Sequence, residues 1–168
     1  DSNSEPCYTS QGYTGLGEVL FEWNDIDGAF LNFETGYHFS QRMGTTVQIS
    51  CAMPLAYAWM ERGEMDKAGE ILKRYAVYIG SSTLGPQVDS LLVARQIHWL
   101  ALAGEHRAIG HLAGSRGISL EGTREIFREP EFAAYARYLL MRGDLKQAVH
   151  LTSVLEPVSY THLRAHET

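Results

Sequence analysis

Cysteine is scarce: the 168 residues hold two, Cys7 and Cys51, in no CxxC pair. So sparse a set needs no disulfide, and both are expected as free thiols of a reducing compartment, the cytoplasm. Positive charge is in deficit as well. Fourteen Lys and Arg stand against twenty Asp and Glu, a formal net charge of −6, so the field of the molecule repels phosphate backbones and disfavours nucleic-acid binding by this chain. Long apolar runs are missing. The longest uncharged stretch, Met43 to Met60, is interrupted by Gly44, Thr45, Thr46, Gln48, Ser50 and Pro54, whereas a membrane helix requires about 20 apolar residues. No GxxxxGK[ST] loop occurs, so ATP binding cannot be assigned to these residues.

What is present fits one ordinary soluble domain, with 45% hydrophobic and 20% charged residues. The start, Asp1 to Pro6, has neither an initiator Met nor the basic and apolar blocks of a signal peptide, so the chain is expected to begin inside a longer gene. At the other end, Val158 to Thr168 resembles the in-frame translation of a transposase-type sequencing adapter. On that resemblance the native segment is 1–157, truncated at both ends, and 158–168 is a non-native tail to be left out of site reasoning. His162 and His166 would otherwise suggest zinc, since imidazoles at i and i+4 share a helix face. Arg164 and Glu167 cancel, so discarding the tail leaves the net charge unchanged.

The strongest signal is a repeat. Leu20 to Ala29, Tyr57 to Ala68, Trp99 to Ala108 and Leu139 to Ala148 align, with turn residues Asn24, Gly63, Gly104 and Gly143 at intervals of 39, 41 and 39. A residue tolerant of left-handed geometry ends an apolar helix and an acidic residue opens the next, so each unit reads as helix, tight turn, helix. First helices are expected near 9–23, 46–62, 87–103 and 130–142, and second helices near 26–43, 65–79, 105–113 and 145–156, with connections at 80–86 and 114–123. Small residues recur at the helix crossings, Gly17, Ala56 and Ala136 before the turn and Ala29, Ala68 and Ala148 after it. The third unit has Ile97 and Ile109 there and is expected to cross less closely or at a shifted angle. Pro54 conflicts with a continuous helix, because an interior proline costs about 3 kcal/mol; either the second unit begins late or its first helix kinks. Pro130 suits a first helical position.

Leu55-Ala56, Trp59, Gly63 and Ala68, with Leu16-Gly17, Leu20, Asn24 and Ala29 in the first copy, resemble tetratricopeptide-like (TPR-like) hairpins, although the period near forty exceeds the usual thirty-four or so. That longer period, together with Gly15 to Ile26 and Glu131 to Leu145, is similar to the sensor region of LuxR/MalT-type ATP-dependent transcriptional regulators. The resemblance spans most of Ser10 to Leu155. It implies an all-α, right-handed superhelix of about four hairpins that receives a small effector, a peptide or a protein. ATP and DNA would be bound only by a P-loop ATPase and a helix-turn-helix, both absent from this chain. A generic TPR-like interaction scaffold is the alternative.

Other constellations have simpler explanations. Gly15-Leu16-Gly17 lacks the third glycine and the preceding strand of a dinucleotide loop, and reads as helix packing. His106 and His111 lie on different helix faces with no zinc-hydrolase Glu, so no metal is expected. Cys51, among apolar neighbours, is expected as a small buried hydrophobe. Phe21, Trp23, Phe30, Phe33, Tyr37, Trp59 and Trp99 recur at helical spacing and are expected in the core rather than in a ligand cage. Asp25-Ile26-Asp27 and Glu64-Met65-Asp66 match helix starts, where the macrodipole favours acids. No cofactor is expected, and an all-helical hydrolase or lyase finds no compact His, Asp, Glu or Cys cluster before the tail. One row of binding residues is expected: six positions before each turn stand Glu18, Tyr57, His98 and Arg137, equivalent sites on successive first helices, which line the concave groove of TPR-like arrays.

Overall fold

Apolar residues at helical spacing, punctuated by glycine, give helices and no strands among the residues described by a computed structural model, 5–119 and 126–153, without the side chains of 5–7 and 126. The described elements are α1 (Glu5–Glu22), α2 (Ile26–Ser40), α3 (Thr45–Glu61), α4 (Met65–Ala76), α5 (Pro86–Leu102), α6 (His106–Ser115), α7 (Glu129–Met141) and α8 (Leu145–Ser153), with a 3-10 turn at Ile126–Arg128 before α7. The tail 158–168, with His162 and His166, the helical positions expected over 154–156 and the Cys7 side chain lie outside the described residues.

Each expected turn closes by the same two hydrogen bonds. Asn24 has φ 62°, and Gly63, Gly104 and Gly143 have φ 76°, 73° and 77°, all in the left-handed region. At Gly63 the amide donates to the Met60 carbonyl and that of Glu64 to the Trp59 carbonyl, each at 2.9 Å. The pattern is repeated by Asn24 and Asp25, by Gly104 and Glu105, and by Gly143 and Asp144, so carbonyls orphaned at each helix end are satisfied locally. The acids that follow then serve the next helix. Asp25 accepts from the Gly28 amide at 3.0 Å and Asp144 from the Gln147 amide at 3.2 Å, side-chain caps of α2 and α8. Gly117, φ 62°, closes α6 in the same way, although it stands outside the repeat register.

The chain forms two compact units, Asp1–Leu92 and Val93–Thr168, the boundary falling within α5. In the first unit α3 packs against α1, α2 and α4. Its uncharged sequence follows from this, since Ile49, Cys51 to Ala56, Ala58 and Met60 are all buried. The helix runs through Pro54 unbroken, so the second hairpin does not begin late. α4 is strongly two-faced, burying Ala68, Ile71, Leu72 and Tyr75, with Asp66 in its first turn and Lys73 and Arg74 in its last.

Small residues set how closely α1 and α2 approach. A Cβ on Gly17 would stand 2.6 Å from the Phe33 ring and 3.0 Å from the Ala29 carbonyl oxygen, and one on Gly36 would meet Thr14 Oγ1 at 2.6 Å. Ala29, Ala56, Ala68, Ala136 and Ala148 are likewise buried, as are Ile97 and Ile109 of the third hairpin. In the second unit Phe132, Ala136, Leu139, Ala148 and Leu151 form the core of the α7–α8 hairpin, and Pro130 takes its place in the first turn of α7. Leu140, Met141, Leu145 and Val149 leave an apolar face exposed there.

Two glycines of one helix separate propensity from packing. No atom lies within 4 Å of a Cβ built on Gly15, so Gly15→Ala is expected to stabilise by about 0.5–1 kcal/mol. Gly17→Ala is expected to destabilise by about 1–3 kcal/mol through overpacking against Phe33. Urea denaturation of both variants checks the pair; equal effects would show that α1 and α2 are not in close contact at Gly17.

Candidate functional site

The expected groove row divides between the two units. In the first, Glu18 is exposed on α1, and Tyr57 of α3 is half-buried with its ring 5.4 Å from that of Phe21, one turn along α1 from Glu18. First helices α1 and α3 thus meet directly through Phe21 and Tyr57. In the second unit His98 is half-buried on α5 and Arg137 is exposed on α7.

Cavities lie on other faces. One, of about 520 Å³, is lined by Glu34, Tyr37 and His38 of α2 and Gln41 at its C-terminal cap, Leu55 and Trp59 of α3, and Lys67, Glu70 and Ile71 of α4. Each set follows the i, i+3, i+4 spacing of a single helix stripe, so the cavity is a trench with α2 and α4 as walls and α3 as floor. Trp59 is two positions from Tyr57, about 200° around the helix, and the trench therefore opens away from the Tyr57 face. At one end Tyr37 and Tyr75 share a hydrogen bond at 3.3 Å, Arg74 Nη1 donates to the Tyr37 hydroxyl at 3.0 Å, and the Tyr75 hydroxyl donates to Gln48 Oε1 at 3.4 Å. Burial, then the Tyr37 hydroxyl, pushes the Tyr75 phenol well above its ordinary value.

The aromatic expectations meet one correction. Phe33 is buried and Phe21, Phe30, Tyr37, Trp59 and Trp99 are half-buried, but Trp23 is 77% exposed. It stands in the turn after α1, where the chain reverses and helical spacing no longer directs a side chain inward. Phe30 and Trp59 pack edge to face with centroids 4.5 Å apart, and each carries a cation: the Arg62 guanidinium 4.7 Å from the Phe30 centroid and Lys67 Nζ 4.1 Å from that of Trp59. Arg62 also pairs with Asp27 at 2.9 Å and Lys67 with Glu64 at 3.3 Å, so the carboxylates near these turns have structural partners.

A second cavity, of about 470 Å³, lies in the other unit among His106 and Gly110 of α6, Tyr135, Tyr138, Leu139 and Arg142 at α7, and Gly143, Asp144 and Gln147 beyond it. Arg142 Nη1 donates to the Tyr138 hydroxyl, which is also hydrogen-bonded to His106 Nδ1, both at 3.4 Å. Burial, then Tyr138, raises the Tyr135 pKa, and the hydrogen bond to Tyr138 raises that of Arg142. Nearby, fully buried Glu131 accepts from Arg116 Nη2 at 2.6 Å and from Arg128 Nη2 at 3.0 Å, tying the end of α6 to the start of α7.

The repeat register could have exposed this ion cluster. Twelve positions before the turn, buried Cys51 and Leu92 occupy the places equivalent to Glu131; an acid there needs buried cations as partners. The trench and the tyrosine pair escape sequence reasoning for another reason, since the first joins residues from three helices and the second from two. Cys51 is a buried free thiol, and Gly17 lies beneath Phe33, as the packing interpretation of Gly15-Leu16-Gly17 requires.

Glu131→Ala leaves two guanidinium groups without their buried anion and is expected to cost about 3–5 kcal/mol by urea denaturation; a loss below about 1 kcal/mol would show that the cluster is solvated. Because the fold holds the Tyr75 proton more tightly than the unfolded chain does, its contribution is complete below the ordinary pKa of 10.0 and is lost as pH rises toward its raised value. Tyr75→Phe is therefore expected to lose stability less steeply above that pH, as followed by helical circular dichroism.

Comparison of the chain with protein-family models, curated proteins and solved structures found no match.

Proposed function

We propose that this chain is the effector- or partner-binding part of a LuxR/MalT-type ATP-dependent transcriptional regulator, built as a right-handed superhelix of TPR-like hairpins. The observation that supports this reading is the series of four left-handed turns at intervals of 39, 41 and 39, each closed by the same pair of backbone hydrogen bonds. Hairpins repeated in that way stack on their neighbours and present equivalent positions in a row. On this proposal Glu18, Tyr57, His98 and Arg137 form the inner row of a concave groove that takes a small effector, a peptide or a protein segment. The chain performs no catalysis, and ATP and DNA are handled by other parts of the parent protein in the cytoplasm. No helix among the described residues is long and apolar enough to cross a membrane.

Function then follows from elasticity. Repeats that touch only their neighbours flex as a spring, and a groove ligand preferring one curvature shifts the equilibrium by its differential affinity. The exposed Leu140, Met141, Leu145 and Val149 favour a second reading, a TPR-like scaffold that meets another protein through its last hairpin. Sequencing the parent gene outward separates the two, since the regulator requires an upstream P-loop and a downstream helix-turn-helix.

Hydrogen exchange tests the groove itself. Compounds and peptides are first selected by thermal shift on the full chain. A groove ligand is expected to increase protection on α1, α3, α5 and α7, and Tyr57→Ala or Arg137→Ala to weaken it about 10-fold, the effect of about 1.4 kcal/mol. Protection confined to second helices, or unchanged throughout, would exclude the row as the binding surface.

A further inference from the structure

The trench of the first unit lies outside the groove face, and its chemistry is that of a cation site. Its floor presents the Trp59 indole, already covered by a positive charge, Lys67 Nζ at 4.1 Å from the ring centroid. On the opposing walls Glu34 and Glu70 are exposed and have no hydrogen-bond or ion-pair partner among the described residues. Lys67, by contrast, retains Glu64 as a partner at 3.3 Å. Two carboxylates therefore face one ammonium across the lining, with His38 on the α2 wall and Arg74 held at the trench end by the Tyr37 hydroxyl.

We propose that this trench binds a small alkylammonium cation, which displaces Lys67 from the Trp59 ring and pairs with Glu34 and Glu70. An aromatic face attracts such a cation through its quadrupole, most strongly where the cation sheds little hydration. The ring is ready to receive one because edge-to-face packing with Phe30, centroids 4.5 Å apart, holds it in place. A volume of about 520 Å³ is in the range of small-molecule sites. Lys67 acts as an internal competitor: it covers the indole when the trench is empty and, when a ligand arrives, leaves the ring while keeping Glu64, its partner at 3.3 Å at the start of α4. This assignment rests on the trench alone and stands or falls separately from the regulator proposal.

The role of Lys67 gives the test its sign. Tetramethylammonium and putrescine are titrated into the full chain, with sodium chloride at matched ionic strength as control, and the Trp59 indole proton resonance is followed by NMR. Both amines are expected to shift that resonance beyond the salt control. Lys67→Gln is expected to tighten binding about two- to five-fold by removing the competitor and a like charge, while Glu34→Gln and Glu70→Gln each weaken it by a similar factor. All three substitutions are at exposed positions, so the variants are expected to fold as the parent chain does. Weaker binding in Lys67→Gln would mean that Lys67 does not compete with the cation for the indole, overturning the proposal. So would resonance shifts no larger than those caused by salt, or binding of a lysine-containing peptide with capped termini without binding of either free amine.

Discussion

The structure depends on a backbone constraint that recurs four times: one residue held at positive φ at the end of a first helix. Left-handed geometry is costly for residues with a Cβ, by about 1–2 kcal/mol, and glycine or asparagine is chosen for that reason. With the residue in place, two amides reach back to two carbonyls and the chain emerges antiparallel to the helix it has left. Everything else in a hairpin, from the acid at the start of the second helix, which caps it with its side chain at Asp25 and Asp144 but not at Glu64 or Glu105, to the small residues at the crossing, is positioned by that reversal. Asn24, Gly63, Gly104 and Gly143 are thus the fixed points from which the other residues can be numbered.

Close crossing and burial of charge meet different needs. Between α1 and α2 the limiting quantity is space: Gly17 and Gly36 bring backbone and ring atoms to distances that leave no room for a methyl group. Between α6 and α7 it is charge that is buried, Glu131 pairing with Arg116 at the end of α6 and with Arg128 just before α7. An ion pair of this kind is not a strong source of net stability, since desolvation offsets most of the attraction, but removing one partner is costly. Its effect is to tie the end of α6 to the start of α7.

In the first unit α3 serves two surfaces. Tyr57 faces α1 and the expected groove row, while Leu55 and Trp59, on the opposite side of the helix, form the trench floor. The same helix also supplies half of the unit's buried hydrophobic residues, which is why its sequence carries no charge between Thr45 and Met60. Separating two candidate binding faces by about 200° on one rigid, buried helix lets each be altered with little effect on the other.

Helix number, helix limits and turns were legible in the sequence because they depend on local physics: apolar spacing for the helices, the left-handed preference of Asn24 and the three glycines for the turns, acids for the caps. α1 to α8 fall within a few residues of the expected positions for that reason. Small residues at the crossings were legible too, since Gly17 and Ala29 are recognisable by repetition alone. Three features were not. The continuity of α3 through Pro54 is decided by burial on several sides, which outweighs a missing hydrogen bond, and Trp23 is exposed because a turn, not a helix face, orients it. The trench, with Glu34, Trp59 and Lys67 brought together from three helices, depends on how hairpins pack. The sequence by itself determined a series of helical hairpins, because local preferences act between residues a few positions apart; only the tertiary structure decided which side chains share a cavity, because that depends on packing between helices distant in the chain.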